Sequence, residues 1–216
     1  MTMKRVYTVI FDFDGTLANT VELMIKLYNQ HADEFGVLKV EENEYESLRE
    51  MGYKKAMKAK KIRLTKLPKM VRTVLKEMKL QMDNVKPYDE IIETINRLQS
   101  HGIRVGVLTS NETPLVNAFF KTHGFPKFDF VVSEKTLFGK EKALRKIMKR
   151  NNLNREDVFY VGDEPRDIIS SKKAGVKVFG VTWGLAGRTG LLKTPPDHLV
   201  DTPRELYQEI LHATEG

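Results

Sequence analysis

Cysteine is absent from the 216 residues of this chain. Its absence excludes a disulfide framework and a thiolate metal site, and it is typical of proteins from a reducing compartment. Long hydrophobic runs are lacking too, because the first apolar stretch ends at Phe11 and is followed by Asp12 and Asp14. That stretch is too short for a signal-peptide core or a membrane span. The sequence therefore predicts a cytoplasmic protein with no membrane partner.

Repeats and low-complexity segments are also missing, and the composition is that of a globular protein. Hydrophobic residues make up 41% of the chain and charged residues 30%, so disorder is not expected. The length allows one full α/β domain and a smaller second one.

The spacing of apolar residues divides the chain into two kinds of segment. After a predicted strand over 5–11, residues 17–86 show helical spacing, as in Leu23, Leu27, Val74 and Met78. From Pro87 onward, helix and strand patterns alternate, and the glycines after Trp183 predict a flexible loop. The predicted helices cover 89–101, 114–123, 140–151, 165–174 and 203–213, and the predicted strands cover 104–109, 128–132, 158–161, 176–181 and 198–200. Such alternation predicts an α/β fold, with a parallel sheet between two layers of helices.

The most informative segment is the run from Val9 to Thr16, where a hydrophobic strand stops at two carboxylates, Asp12 and Asp14. Gly15 then permits the sharp turn away from the sheet. Open α/β sheets bind ligands beyond the carboxyl ends of their strands, so this position favours a reaction centre. The alternative is a strand-ending turn in which Asp and Gly serve conformation alone.

Two further positions carry polar groups at the ends of predicted elements. Thr109, Ser110 and Asn111 end one strand with hydroxyl and amide groups that suit phosphate oxygens, although they also suit a helix cap. Lys140, in the run Phe138-Gly139-Lys140, opens a helix at the end where the helix dipole disfavours a cation. Its position indicates either a function or an ordinary surface lysine.

A second acidic pair follows the predicted strand over 158–161. Asp163 and Asp167 lie four residues apart across the start of a helix, directly after Gly162. Capping by Asp163, with Pro165 in the first turn, is compatible with a functional role.

Together these motifs resemble the haloacid dehalogenase-like superfamily of phosphotransferases, and they do so in the family's order over nearly the whole chain. The first motif, DxDGT, corresponds to Asp12 through Thr16, the second to Thr109, the third to Lys140 or to Lys142, and the fourth to Gly162-Asp163 with Asp167. The resemblance is to members similar to phosphoglycolate phosphatase. It implies a Rossmann-like core of residues 1–16 and 87–216 and an α-helical cap domain of residues 17–86.

The resemblance also implies a role for each motif residue. Asp12 would be the nucleophile that forms an aspartyl-phosphate, and Asp14 the general acid and base. Thr109 and Lys140 would stabilise the phosphoryl group. Substrate contacts are expected from Gly15, Thr16, Ser110, Asn111, Lys54 and Lys55.

A metal ion is expected because the motif carboxylates crowd negative charge into one place. By resemblance the ligands would be Asp12, the backbone carbonyl of Asp14, Asp163 and Asp167, the last through water or by orienting Lys140. Oxygen ligands without Cys or His favour Mg²⁺ over Zn²⁺. With Mg²⁺ bound and Asp14 protonated the charges of the site cancel, so a phosphate dianion can enter.

The net charge of +7 is concentrated between Tyr53 and Lys79, where eleven Lys or Arg residues stand against one acid, Glu77. This segment is either a solvated helical face or a surface that gathers a small phosphorylated metabolite. A nucleic-acid partner is disfavoured because Tyr53 is the segment's one aromatic residue, so stacking platforms are not evident.

We therefore predict a phosphatase that acts on a small phosphate monoester. The alternatives are a sugar phosphomutase on the same site, a polynucleotide end phosphatase, and a phosphoacceptor signalling module. The last disagrees with the motif order and with an insert of about 70 residues. Asn19 and Glu141 replace an Asp and a Pro that many relatives carry, which weakens an assignment to phosphoglycolate phosphatase in particular.

Overall fold

A computed structural model of the protein describes residues 5–134, 136 and 139–215. Its centre is a six-stranded parallel sheet with the strand order β3-β2-β1-β4-β5-β6. The strands are β1 (Thr8–Phe11), β2 (Arg104–Thr109), β3 (Phe130–Ser133), β4 (Val158–Gly162), β5 (Lys177–Val181) and β6 (His198–Val200). The predicted α/β fold with a parallel sheet is confirmed.

Eleven α-helices connect or follow these strands in the part of the chain that the structure describes. Five follow β1 and precede Pro87: α1 (Thr20–Gln30), α2 (Ala32–Phe35), α3 (Tyr45–Met51), α4 (Tyr53–Ala59) and α5 (Leu67–Leu80). The others are α6 (Ile91–Ser100), α7 (Thr113–Thr122), α8 (Lys140–Arg150), α9 (Pro165–Ala174), α10 (Gly187–Leu192) and α11 (Pro203–Glu215). Short 3₁₀ turns cover Glu42–Glu44, Met82–Asn84 and Arg155–Asp157.

The four central strands of the sheet are buried on both faces, because their side chains alternate between two apolar clusters. Phe11 and Val107 point into the larger cluster, with side chains of α6 and α11, whereas Ile10 and Leu108 point into the other, with α8 and α9. Strands of this kind consist of nearly continuous hydrophobic residues, since each successive side chain meets a helix layer. The result is a three-layer core.

Strand register places the functional motifs side by side. Phe11, the last residue of β1, pairs with Val107 of β2 on one side and with Val161 of β4 on the other. Asp12 then continues the ladder by donating its backbone N–H to the carbonyl of Val161 at 2.8 Å. The carboxyl ends of three neighbouring strands therefore meet beside Asp12.

Two linkers connect the helices α1 to α5 to the sheet, and hydrogen bonds join one linker to the other. The backbone N–H of Asn19 donates to Lys86 at 2.9 Å, and that of Tyr88 donates to Leu17 at 3.1 Å. Some apolar residues of α1 and α5, including Leu27 and Met78, join the larger core cluster, whereas Phe35 belongs to a small separate one. The division of the chain into a core and a cap domain stays a prediction.

Two details differ from the sequence prediction. The loop predicted after Trp183 contains the helix α10, in which Gly187 and Gly190 are buried. His31, which shares the four-residue spacing of Leu27 and Phe35, lies between α1 and α2 and contacts Glu34 and Glu77.

Within the described residues, every helix is too short or too polar to span a bilayer.

Candidate active site

The centre of the candidate site is a buried ammonium group between two carboxylates. Lys140, the first residue of α8, places its Nζ 2.6 Å from Asp12 Oδ2 and 2.5 Å from Asp167 Oδ1. All three side chains are at least 94% buried. Burial by itself would lower the pKa of Lys140, but the two carboxylates outweigh it and raise the pKa well above its usual value. Lys140 is therefore charged and is held at the end of β1.

A third carboxylate completes the cluster. Oxygen atoms of Asp12, Asp163 and Asp167 all lie within 4.8 Å of one another, and the three residues are buried. Burial raises the pKa of Asp12 to about 7, although Lys140 opposes the rise, and burial raises the pKa of Asp163 as well. Burial is the largest cause of both shifts, and repulsion from neighbouring carboxylates adds to it, because three buried carboxylates share one ammonium.

This donor set fits a hard divalent cation. All of its ligand atoms are carboxylate oxygens, which suit ions such as Mg²⁺ and not soft metals. A bound divalent ion would also supply the charge that the buried carboxylates lack. The Asp14 side chain is not part of this cluster. A metal contact from the backbone carbonyl of Asp14 stays a prediction.

The orientation of Asp163 is fixed by groups on both sides of it. The hydroxyl of Thr16 donates to Asp163 Oδ1 at 3.1 Å, and the backbone N–H of Leu185 donates to Oδ2 at 2.7 Å. Gly15 and Gly184 approach so closely that a Cβ on either would overlap the Asp163 side chain. The contacts of Thr16 and Leu185 with Asp163 were not predicted from the sequence.

Asp14 lies apart from the cluster and has its own partner. The Asn111 amide donates to Asp14 Oδ2 at 2.6 Å, while the Asn111 backbone N–H donates to Thr109 Oγ1 at 3.0 Å. Burial raises the pKa of Asp14 to about 6, and Lys140 and Asn111 are among the groups that limit the rise. Asp12 and Asp14 thus have different surroundings, which is how two carboxylates acquire different proton-transfer roles.

A hydrogen-bonded chain links α4 to the acidic end of α9. The hydroxyl of Tyr53 donates to Glu164 Oε2 at 3.2 Å, and Arg166 forms an ion pair with Oε1 of the same carboxylate. Arg166 Nε is buried and has no hydrogen-bond partner among the described residues. Sequence reasoning missed Tyr53, Glu164 and Arg166 as a group, although Glu164 and Arg166 stand inside the fourth motif.

The other predicted substrate contacts lie at the margin of the site. Ser110 is exposed at the end of β2, and Gly15 and Thr16 are buried beside Asp163. Lys54 and Lys55 are exposed and border a cavity between the helices of the insert. Their binding roles stay predictions. Lys142 is exposed on α8 and Phe138 lies outside the described residues, so it is Lys140 that reaches Asp12.

Comparison with known proteins places this arrangement in a family. The family model described as haloacid dehalogenase-like hydrolase matches residues 9–181. A phosphoglycolate phosphatase of Synechococcus elongatus is 28% identical to the chain, and the alignment covers 94% of the chain and 96% of that relative. A pyrophosphatase PpaX of Bacillus velezensis is also 28% identical, with 99% of both proteins covered.

A solved structure agrees with these sequence relatives. A predicted phosphatase from Clostridium acetobutylicum superimposes with a TM-score of 0.74 at 25% identity, covering 96% of this chain and 99% of that one. The family match spans the sheet from β1 to β5 and all four motifs. The chain therefore belongs to the haloacid dehalogenase-like hydrolases, as its motifs had predicted.

Proposed function

We propose that the protein is a Mg²⁺-dependent phosphatase that hydrolyses a small phosphate monoester through an aspartyl-phosphate on Asp12. The observation that carries this proposal is the position of Lys140 Nζ, 2.6 Å from Asp12 and 2.5 Å from Asp167, beside a third buried carboxylate. An ammonium held there favours the ionised form of Asp12 against the effect of burial, and it offsets charge on an incoming phosphate.

In the first half of the reaction, a carboxylate oxygen of Asp12 attacks phosphorus and the bond to the substrate alcohol breaks. Asp14 gives its proton to the departing alcohol, which requires the protonated form that a pKa of about 6 makes available. The buried hydroxyl of Thr109 donates to a phosphoryl oxygen, and Lys140 neutralises part of the charge.

In the second half, water attacks the phosphorus of the aspartyl-phosphate. Asp14, now ionised, accepts the proton of that water, and Asp12 leaves as a carboxylate together with free phosphate. Mg²⁺ would be held by Asp12, Asp163 and the carbonyl of Asp14, and when bound it supplies positive charge next to the phosphoryl oxygens. Asp167 accepts a hydrogen bond from Lys140 and thereby positions that lysine.

The helices α1 to α5 are proposed to form a cap domain of residues 17–86 over a core of residues 1–16 and 87–216. Two relatives are named for phosphoglycolate and pyrophosphate hydrolysis, so a small phosphorylated metabolite is the proposed class of substrate. The polar contacts from Tyr53 to Glu164 and from Arg49 to the carbonyl of Thr182 join this region to the sheet edge.

The test is the hydrolysis of p-nitrophenyl phosphate by Asp12→Asn and the parent protein, with Mg²⁺ and with EDTA. We expect the parent to be active with Mg²⁺ and inactive with EDTA. Asp12→Asn should lose about 10³-fold or more in kcat, because an amide replaces the attacking carboxylate. Asp33→Asn, on the exposed side of α2, is the matched control and should keep full activity. Equal rates for Asp12→Asn and the parent would refute the proposal.

A sugar phosphomutase would use the same residues. Incubation with a sugar phosphate separates the two functions, since a phosphatase releases inorganic phosphate and a mutase releases an isomer. Isomer without phosphate would replace the proposed hydrolysis with the alternative.

A further inference from the structure

The insert contains a cavity of about 590 Å³ that the proposed chemistry does not use. It lies between α1, α3, α4 and α5, and α10 closes one side. Its walls are mainly apolar, and the residues that define them include Met24, Ile25, Leu48, Met70, Val71 and Leu75. Cavities of this size are in the range that holds a drug-sized organic ligand.

Helix α5 has two apolar stripes, one packed into the core and the other partly exposed beside the cavity. Val74 and Met78 are buried, and this stripe contributes to the larger core cluster. Val71 and Leu75 belong to the same helical repeat, yet 45% and 51% of their surface stays exposed, and both face the cavity. Apolar side chains gathered around an open space leave an unfilled hydrophobic surface, which is typical of a ligand site.

The inner end of the cavity is the outer wall of the carboxylate site. Leu185 borders the cavity, and its backbone N–H donates to Asp163 Oδ2 at 2.7 Å. Tyr53 also borders it and donates to Glu164, the residue after Asp163. A molecule in the cavity therefore lies next to the place where the phosphate would bind.

Two unpaired donors mark this inner end. Tyr45 Oη and Arg49 Nε are buried, belong to residues that border the cavity, and have no hydrogen-bond partner within the described residues. A buried donor without a partner costs about 1–3 kcal/mol, so such groups usually meet a ligand or water. Arg49 also donates to the carbonyl of Thr182. Thr182 precedes the loop in which the backbone N–H of Leu185 donates to Asp163.

We propose that the cavity binds the apolar body of the substrate alcohol, so that the substrate is a phosphate monoester of an alkyl or aryl alcohol. The inference rests on the proposed phosphatase activity, for which it names the substrate class. The phosphate lies at Asp12, the apolar body lies against Val71 and Leu75, and the donors of Tyr45 and Arg49 meet an oxygen close to the phosphate.

The test is a series of n-alkyl phosphates from ethyl to decyl, assayed for kcat/KM, with the matching n-alkyl phosphonates measured for binding by calorimetry. Burial of each added methylene should raise both kcat/KM and affinity by about fourfold until the cavity is full. A flat profile for both quantities would overturn the inference. Hydrolysis of ethyl phosphate without any length dependence would overturn the substrate class and leave the phosphatase proposal intact.

Two variants separate the cavity from general effects of hydrophobic ligands. Leu75→Glu should abolish the gain of kcat/KM and of phosphonate affinity with chain length, because it places a carboxylate in the apolar wall against which the alkyl chain would lie. Leu80→Glu is the matched control on the same helix, because Leu80 is 76% exposed and does not border the cavity. Equal chain-length profiles for the two variants would contradict the proposed site.

A third variant tests the volume of the cavity. Ala56→Trp, which adds a ring to the cavity wall, should shorten the alkyl chain at which affinity stops rising. If no ester at all is hydrolysed, the phosphatase proposal fails, while length-dependent phosphonate binding would still support the apolar site.

Discussion

Replacement of Lys140 by Met should make the stability of the protein strongly dependent on pH. Lys140 Nζ contacts Asp12 and Asp167 at 2.6 and 2.5 Å inside the core. At an effective dielectric constant of about 20, Coulomb's law gives roughly 6 kcal/mol for each pair. Dehydration of the ammonium and repulsion between the carboxylates offset much of this attraction. We therefore expect a net loss of about 3–5 kcal/mol, the range observed when one partner of a buried ion pair is removed.

The sign of the pH effect follows from the carboxylates that remain. Burial already raises the pKa of Asp12 to about 7, and without Lys140 the pKa rises further. A carboxyl group whose folded pKa exceeds its unfolded value of about 3.9 destabilises the protein as pH rises through that interval. Lys140→Met should therefore lose little stability at pH 5 and most of the predicted amount at pH 8.

Urea unfolding in EDTA at the two pH values measures this difference, with Lys142→Met as the control. Lys142 is two residues away on the exposed face of α8, so its loss should change the free energy of unfolding by less than about 0.5 kcal/mol. The double variant Lys140→Met/Asp167→Asn should regain part of the stability, because one of the two uncompensated charges is gone. Equal losses for Lys140→Met at pH 5 and pH 8 would refute the reasoning.

Three further predictions concern the groups around Asp14 and Asp163. Asn111→Leu removes a hydrogen-bond donor that lowers the pKa of Asp14, so this pKa should rise. The alkaline limb of the pH profile of kcat/KM should then move to higher pH, and a limb that stays or moves to lower pH would contradict this. Thr16→Val should weaken Mg²⁺ binding about tenfold in calorimetry, because Asp163 loses an orienting hydrogen bond, whereas Thr16→Ser should bind as the parent does. Gly184→Ala should lower the free energy of unfolding by more than about 2 kcal/mol in urea titrations, since its Cβ would overlap Asp163; a fully stable variant would show that the loop can yield.

The sequence predicted the central strands of the sheet well because these strands are buried on both faces. The bounds of β2 and α9 agree with the prediction to the residue. Hydrophobic runs of this kind, each ended by Gly, Thr or Asp, leave few other positions for a strand. β1 begins three residues later than predicted, at Thr8, because apolar character alone does not show where pairing with the neighbouring strands starts.

The sequence could not predict structure that depends on distant contacts. The glycines of α10 favour a loop by intrinsic propensity, yet the segment is helical where it packs against α3 and β5. Propensity is a weak guide where tertiary packing decides the conformation.

The same limit applies to the candidate site. Asp12, Asp163 and Asp167 were named because they follow strands, and the structure brings them together with Lys140. The supporting contacts of Thr16 and of the Leu185 backbone carry no sequence signal, since a hydroxyl or an amide N–H does not reveal its partner. The assignment of catalytic roles to these residues stays a proposal that the variants above test.

The linkers of the helical insert begin almost at the proposed acid. The backbone N–H of Gly15 donates to the carbonyl of Ala18, and Ala18 bridges to Pro87 on the returning linker. Asp14 therefore lies in the same short turn as Ala18, where the outgoing linker meets the returning one. Any rotation of those helices would twist the peptide that carries this carboxyl group. The position of the Asp14 carboxyl group relative to the leaving alcohol would therefore depend on the orientation of α1 to α5.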